Sequence, residues 1–452
     1  MVEAVALRSA ISSARRPAVT VVLGFAVVVV IGTVLLTLPI ASARGQPTDL
    51  VRALFTATSA VCITGLAVVD TAQHWSLFGE IVILALVQAG GLGIMTLASL
   101  LGLLVSRRLG LRMRLSAQRE TKSAGLGDVR TVVLGVVVLS LTFEFVVATI
   151  LVTRLFTGYD HSFGEALHSG VFHAVSSFNN AGFALFDDGL TAFVSDPWIC
   201  LTIAFSVIAG GLGFPVFLEL GRRLRGKQAW SVHTKLTVGT TLLLLVAGFA
   251  FITISEWSNE DTLGAHAPPT KLLAGFFTAV MPRSGGLHAL DIDAMNSESL
   301  LVQSALMLIG GGSASTAGGI KVTTFAILAF VILAEIRGEP SVHVMGRKLA
   351  ASTQRQALTI ALLTVALVIG ATAALLSMTD FALEAVMFES ISAVATVGLS
   401  TGITPDLPPA AHVLMSVLMF IGRLGPITLA SALALRDRPR RFELAEVRPI
   451  VG

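Results

Sequence analysis

Long apolar stretches alternate with polar connections along the whole chain. Three of the eight stretches contain one charged residue each, namely Glu144, Lys321 and Arg423. About 20 apolar residues suffice for a helix to cross a bilayer, so the pattern predicts eight membrane spans. The spans are Ala18–Ala41, Ile81–Val105, Thr131–Thr153, Trp198–Leu218, Leu236–Ser255, Leu300–Ala334, Ala357–Thr379 and Ala410–Leu435.

Each outer connection contains a second, shorter apolar segment. At about 1.5 Å per residue, such a segment is too short to cross a hydrocarbon core of roughly 30 Å. Each is followed by an extended stretch that contains glycine. We therefore predict four re-entrant helices at Leu50–Ala60, Gly164–Ser177, Lys271–Val280 and Phe381–Ala393.

The four glycine-containing stretches align with one another. Gly65, Gly182, Gly286 and Gly398 are separated by 117, 104 and 112 residues. A second glycine cluster follows each of them inside the next span, 24 to 28 residues later. Such periodic self-similarity predicts the fold class. The chain is expected to be an all-α integral membrane protein of four span–pore helix–span repeats with pseudo-four-fold symmetry around one central pore.

The repeats set the predicted boundaries. They cover residues 17–105, 131–218, 236–334 and 357–435, and the third has a broken second span. The cytoplasmic parts are residues 1–16, 106–130, 219–235, 335–356 and 436–452.

The extended stretches have the chemistry of a cation filter. Irregular backbone at membrane depth survives only where it is buried in protein or lines a cavity. Its carbonyl groups can replace the hydration shell of a cation, and the C-terminal end of each short helix adds partial negative charge. The predicted cation-binding residues are Cys62, Ile63, Thr64 and Gly65; Asn179, Asn180, Ala181 and Gly182; Arg283, Ser284, Gly285 and Gly286; and Ala395, Thr396, Val397 and Gly398.

Close helix packing is the alternative role for membrane glycines. We favour it for the helix clusters Gly90–Gly93 and Gly210–Gly213.

The third repeat contains a predicted gate. Five glycines in ten residues will not sustain a helix, so an unwound segment is expected below the filter. Arg423, buried at mid-span, should pair with carbonyl groups of this segment or with an acid. Lys321 either adds to a positive barrier or extends toward the cytoplasm. The predicted gate residues are Gly310, Gly311, Gly312, Ser313, Ala314, Ser315, Thr316, Ala317, Gly318, Gly319, Lys321 and Arg423.

Composition and charge agree with a membrane protein. Hydrophobic residues make up 54% of the chain and charged residues 13%, which excludes a soluble enzyme, a disordered chain and a coiled coil. Of the 31 basic residues, 24 lie in the termini and in alternate connections, which places both termini in the cytoplasm. The opposite side carries acids, including Asp187, Asp188, Asp291 and Asp293. They either form an acidic vestibule or are ordinary solvated loop residues.

Catalytic patterns are missing from the sequence. The glycines before Lys321 do not form a phosphate loop, and no G-x-S-x-G motif occurs. His168 and His173 are five residues apart, which does not suit a helical metal pair. We expect Glu144 to pair within the protein. The prediction is a protein that is not an enzyme and has no covalent cofactor.

Four stretches carry a resemblance to a known family. They are Ser59–Leu66, Asn180–Phe183, Ser313–Lys321 and Gly422–Pro426. Through them the chain resembles the Trk/Ktr/HKT superfamily of cation transporters, most closely the KtrB-type membrane subunits of bacterial potassium-uptake systems. The resemblance implies potassium uptake across the bacterial cytoplasmic (inner) membrane through a filter gated by the segment 310–321 together with Arg423. It also implies a homodimer among membrane lipids and a cytoplasmic KtrA-like regulatory ring that binds the nucleotide. No nucleic acid is implied.

One departure from the family pattern concerns the third filter. It reads Ser284-Gly285-Gly286-Leu287, where the family usually has Thr-Ala-Gly-Phe. We expect the extra glycine to loosen this strand and weaken selectivity. The first alternative function is therefore a sodium-permeable or weakly selective transporter, although glycine at position 65 favours potassium. A non-transport membrane enzyme or receptor is the second alternative.

Overall fold

Helices account for most of the chain. The computed structural model describes residues 21–108, 129–186, 188–224, 226 and 230–434. In chain order, the helices are α1 (Val21–Thr37), α2 (Leu50–Cys62), α3 (Thr71–His74), α4 (Leu77–Arg108), α5 (Val129–Gly158), α6 (Phe163–Phe178), α7 (Pro197–Leu212), α8 (Phe214–Leu224), α9 (Val232–Glu256), α10 (Pro268–Val280), α11 (Ser297–Leu308), α12 (Val322–Ile336), α13 (Ala351–Leu376), α14 (Leu383–Ala395) and α15 (Pro409–Ala434).

The predicted spans coincide with helices, but they differ in length. Within the part of the chain that the structure describes, α4, α5, α9 and α13 are long and apolar enough to cross a membrane. The apolar parts of α1, α12 and α15 are shorter. The predicted span Leu300–Ala334 consists of α11 and α12, separated by the irregular segment that the glycines predict.

The predicted span Trp198–Leu218 is sharply bent. Helix α7 ends at Leu212, and α8 follows Gly213 at an angle of 97° to it. Gly213 has φ +91° and ψ 150°, a conformation that glycine adopts at little cost. The N–H of Phe214 then donates to the carbonyl oxygen of Ala314 at 3.2 Å. The second repeat is therefore broken where it meets the irregular segment of the third.

The four short helices α2, α6, α10 and α14 lie within three residues of their predicted bounds. They contain 13 to 16 residues, too few to cross the membrane. Local sequence explains where two of them begin. Asp49 accepts hydrogen bonds from the first turn of α2, and Ser162 forms a capping box with Glu165 at the start of α6.

Packing connects the repeats in a closed order. Helix α4 of the first repeat packs against α5 and α6 of the second, and α7 of the second packs against α10 of the third. Helix α11 then packs against α14 of the fourth repeat, and α15 returns to α2 of the first. The main buried core includes residues of all four short helices, such as Phe55, Ala174, Phe277 and Phe388.

A short hairpin is a small exception to the predicted all-α fold. Strands β1 (His343–Val344) and β2 (Arg347–Lys348) pair antiparallel within the predicted connection 335–356. Met345 and Gly346 both have positive φ, as a two-residue hairpin turn requires. The predicted segments 1–16 and 436–452, and most of 106–130, lie outside the described residues.

Candidate cation pathway

The four predicted filter stretches share one backbone conformation. Two residues before each glycine, the chain enters the left-handed region, with φ of 56° at Ile63, 60° at Asn180, 73° at Ser284 and 49° at Thr396. Each aligned glycine also has positive φ, between 70° and 98°. A left-handed L-residue costs about 1–2 kcal/mol, and a β-branched one is an outlier. Strain repeated at four matched positions indicates a functional constraint.

The four aligned glycines lie next to one another. A Cβ atom placed on Gly182 would lie 2.9 Å from Cα of Gly286 and 3.3 Å from Cα of Gly65. A Cβ atom on Gly398 would lie 3.1 Å from Cα of Gly65, and one on Gly286 would lie 3.4 Å from Cα of Gly398. The glycines thus form a closed ring in chain order, which we call the glycine ring.

Backbone carbonyl groups crowd the glycine ring. The carbonyl oxygen of Ala181 is the atom nearest to a Cβ on Gly65, and that of Val397 is nearest to a Cβ on Gly286. The carbonyl oxygen of Thr64 is the atom nearest to a Cβ on Gly398. No side chain fits at these positions, so the ring consists of backbone.

Serine hydroxyls six residues before the glycines support three of the four corners. The Ser59 hydroxyl accepts a hydrogen bond from the N–H of Gly65, and the Ser392 hydroxyl accepts one from Gly398, each at 3.0 Å. At the second corner the Ser176 hydroxyl donates to the carbonyl oxygen of Phe183 at 2.7 Å. Sequence reasoning missed these serines, although their constant offset from the glycines was visible.

A polar cluster lies behind the second filter stretch. The amide nitrogen of Asn179 donates to Gln88 at 2.9 Å and to Glu144 at 3.1 Å. The predicted internal pairing of Glu144 is confirmed, and its partner Asn179 belongs to the filter stretch itself. Gln88, which completes the cluster, was not predicted.

The extra glycine of the third filter strand is hydrogen-bonded and closely packed. The N–H of Gly285 donates to the carbonyl oxygen of Met281 at 2.8 Å. A Cβ atom on Gly285 would lie 2.7 Å from Sδ of Met281 and 3.0 Å from Cγ1 of Val207. These neighbours leave little space for a side chain at position 285.

The irregular segment 310–321 contacts the third and fourth filter stretches and is tied to the second repeat. The N–H of Gly312 donates to the carbonyl oxygen of Gly211 at 2.7 Å, and the N–H of Thr316 donates to that of Gly210 at 3.2 Å. Most of its residues are buried. This segment, which we call the gate loop, is thus more firmly attached than its glycine content predicts.

One serine connects the gate loop with the filter. The Ser284 hydroxyl donates to the carbonyl oxygen of Thr396 at 2.7 Å and accepts from the N–H of Gly318 at 2.9 Å. Movement of the loop at Gly318 would therefore remove a hydrogen bond from a residue that holds two filter stretches together.

Two basic side chains bind carbonyl groups of the gate loop. The buried Arg283 donates to Gly310 and to the carbonyl oxygen of Thr241, both at 3.0 Å. Nζ of Lys321 donates to the carbonyl oxygen of Ala317 at 2.5 Å. Lys321 thus binds a carbonyl group of its own loop and does not extend away from it, and its alternative role in a positive barrier stays a prediction.

The expected pairing of Arg423 with the gate loop is wrong. Among the described residues, none of its three guanidinium nitrogens has a hydrogen-bond partner, although the side chain is only 4% exposed. It lies within electrostatic range of Lys321 and Cys62. Arg283 makes the loop contact that the sequence assigned to Arg423, because it lies directly beside Gly310.

Close packing explains one glycine of the second cluster in three repeats, whereas Gly213 forms the break between α7 and α8. A Cβ atom on Gly90, Gly210 or Gly422 would collide with the carbonyl oxygen of Val61, Phe178 or Val394, respectively. Each of these carbonyls is four residues before a ring glycine. The helix glycines therefore let the spans approach the C-terminal ends of α2, α6 and α14.

Three of the acids predicted for the outer side are exposed. Asp188, Asp291 and Asp293 are exposed on loops that follow the second and third filter stretches, whereas Asp187 lies outside the described residues. Burial lowers the pKa of the nearby His288, although Asp188 and Asp291 oppose this effect. The imidazole is therefore neutral at neutral pH and adds no positive charge beside these aspartates. The described residues contain no group of His, Cys, Asp or Glu arranged for a metal ion.

Known proteins resemble this chain over most of its length. A model of the TrkH family, described as a cation transport protein, matches residues 7–439. The Ktr system potassium uptake protein B of Bacillus subtilis is 38% identical over 93% of this chain and 94% of its own length. The potassium/sodium uptake protein NtpJ of Enterococcus hirae is 35% identical, with 93% of each chain covered.

A solved structure supports the fold. The crystal structure of the potassium transporter TrkH from Vibrio parahaemolyticus matches with a TM-score of 0.68 and 16% identity, covering 90% of this chain and 84% of that one.

Proposed function

The chain belongs to the TrkH family of cation transport proteins, so it is a membrane transporter and not an enzyme, and we propose that it takes up potassium. We propose that the protein lies in the bacterial cytoplasmic membrane, with both termini in the cytoplasm. The relative from Bacillus subtilis is named as a potassium uptake protein, which supports this substrate.

The glycine ring is the observation that carries the proposal. Four stretches with the same left-handed residue and the same positive-φ glycine converge at one place, and carbonyl oxygens surround it. Backbone carbonyls replace the hydration shell of an alkali cation. The C-terminal ends of α2, α6, α10 and α14 meet there and add partial negative charge.

Ion substitution in proteoliposomes tests this function. We expect purified chain to carry potassium or rubidium inward at least about tenfold faster than sodium, a difference of about 1.4 kcal/mol. Protein-free vesicles are the control. Uptake of neither ion under any condition would contradict the proposal.

Sodium permeability is the second candidate, and one comparison favours it. The Enterococcus hirae relative is named for both potassium and sodium. The firmly held Gly285 argues against a loosened filter. Equal rates for the two ions in the same vesicles would establish the second candidate instead.

We further propose that the gate loop opens and closes the pathway below the glycine ring. Its hydrogen bonds to Gly210 and Gly211 hold it in place, and Arg283, Lys321 and the nearby Arg423 add positive charge on the path of a cation. The Ser284 hydroxyl would transmit loop movement to the filter.

A regulatory partner is the last part of the proposal. The relative from Bacillus subtilis belongs to a named Ktr system, which supports a separate cytoplasmic KtrA-like ring that carries the nucleotide. We expect the purified chain to be a homodimer by light scattering and to form a larger complex with such a ring. Exchange of the nucleotide should then change potassium flux. The control is the chain without the ring, whose flux should ignore nucleotide; flux that also ignores it with the ring bound would refute the regulation.

A further inference from the structure

Two buried side chains of different chemistry occupy the same position in the second and fourth repeats. His173 and Glu389 each lie nine residues before a ring glycine, on α6 and α14, and are at most 1% exposed. Neither residue belongs to the predicted filter or gate.

Both side chains accept a hydrogen bond from a backbone N–H at the equivalent position of their own repeat. Nε2 of His173 accepts a hydrogen bond from the N–H of Leu185 at 3.2 Å, and Oε1 of Glu389 accepts one from the N–H of Thr401 at 3.1 Å. Leu185 and Thr401 each follow their ring glycine by three residues. Each side chain thus ties the outward turn of its filter stretch to the short helix behind it.

Further contacts fix the orientation of the two acceptors. Nδ1 of His173 donates to the carbonyl oxygen of Ser169 at 2.7 Å, which leaves Nε2 free to accept. Its ring stacks on Phe186 with centroids 4.4 Å apart. Glu389 also accepts hydrogen bonds from the hydroxyl of Ser400 and, at 2.8 Å, from that of Thr404.

The other two corners have no such contact. The matching residues are Thr56, whose hydroxyl has no hydrogen-bond partner within the described chain, and Phe277, which has no polar side-chain atom. Because the ring follows chain order, the second and fourth corners face each other across it. The outward turns are therefore held by side chains at two opposite corners.

We propose that His173 and Glu389 are positioning residues that hold the filter at two opposite corners and thereby set its affinity and selectivity for the transported cation. This inference rests on the proposed transport function. A carbonyl ring selects among cations only while its geometry is maintained. A lost hydrogen bond behind one corner lets that corner relax, which weakens the binding of the preferred ion more than its maximal rate of passage.

Substitutions at Glu389 test the proposal in proteoliposomes. We expect Glu389→Met to raise the KM for potassium about tenfold and to lower the potassium-to-sodium ratio. A tenfold weaker affinity is the effect expected when a buried hydrogen-bonding group is removed. The maximal rate should change less than the KM. Glu389→Gln keeps an acceptor for Thr401 and should restore both quantities to within about twofold of the parent.

Glu256 offers a matched control. It is a fully buried glutamate that accepts hydrogen bonds from Asn259, Thr262 and the N–H of Asn296, away from the filter. Glu256→Met should reduce stability without changing the KM or the ion ratio of the folded protein. If Glu389→Met does not fold, His173→Leu tests the opposite corner, with His173→Gln as the conservative variant.

The outcomes separate this inference from the transport function. Potassium uptake by the parent with unchanged KM and ion ratio in folded Glu389→Met or His173→Leu would overturn the positioning role alone. The same KM shift in Glu256→Met would also overturn it. A parent that transports neither ion would refute the transport function itself.

Discussion

Gly65→Ser should reduce the potassium-to-sodium permeability ratio by at least about tenfold, or about 1.4 kcal/mol. Gly65 has φ +90°, and a Cβ atom would lie 2.8 Å from Cα of Gly182 and nearer still to the carbonyl oxygen of Ala181. The left-handed conformation alone costs a serine about 1–2 kcal/mol. The corner must therefore move outward, and the carbonyl spacing that suits potassium is lost.

Gly45→Ser is the matched control for this substitution. Gly45 lies in the first repeat with φ +67°, but nothing lies within 4 Å of its Cβ position. A serine at this position has the same backbone strain as one at position 65, but its side chain collides with nothing. The potassium-to-sodium ratio of Gly45→Ser should therefore equal that of the parent. The measurement is the uptake of each ion into proteoliposomes, after correct folding of each variant has been checked. A normal ratio in well-folded Gly65→Ser would remove Gly65 from the filter.

The positions of the short helices and ring glycines were predictable because they depend on local pattern. Apolar segments too short to span a bilayer, each followed by glycine, can be recognised without knowing any tertiary contact. All four lie within three residues of the predicted bounds. The left-handed conformation at Ile63 and Thr396 was not predictable, because β-branched residues disfavour it and only the surrounding ring enforces it.

Side-chain partners were predicted less well than positions. The sequence places Arg283 in the filter and Arg423 at mid-span, but it does not show which of them lies beside Gly310. The break at Gly213 was also missed, because a single glycine at a helix end resembles a packing glycine until its partners on the gate loop are known. Contacts between repeats depend on the folded geometry, which the spacing within one repeat does not contain.

Arg423→Met should raise potassium flux when the proposed regulatory ring carries the nucleotide that closes the pathway. The flux of this variant should also depend less on the ring. The charge of Arg423 would repel a potassium ion in the pathway by about 2 kcal/mol, if the two are roughly 8 Å apart and the effective dielectric constant is about 20. Removing such a repulsion corresponds to an increase in flux of about thirtyfold. Since the guanidinium of Arg423 has no hydrogen-bond partner in the described chain, the substitution should also leave the fold intact or stabilise it.

Arg283→Met is the matched comparison, because the two buried arginines differ in their partners. Arg283 donates to Thr241 and Gly310, and losing a charged hydrogen bond costs about 1.5–3 kcal/mol. This variant should therefore lower thermal stability and release the gate loop, whereas Arg423→Met should change flux without that loss. The measurements are thermal unfolding in detergent and flux with the ring bound to its closing nucleotide. If folded Arg423→Met stays as closed as the parent under that nucleotide, its charge is not part of the gate.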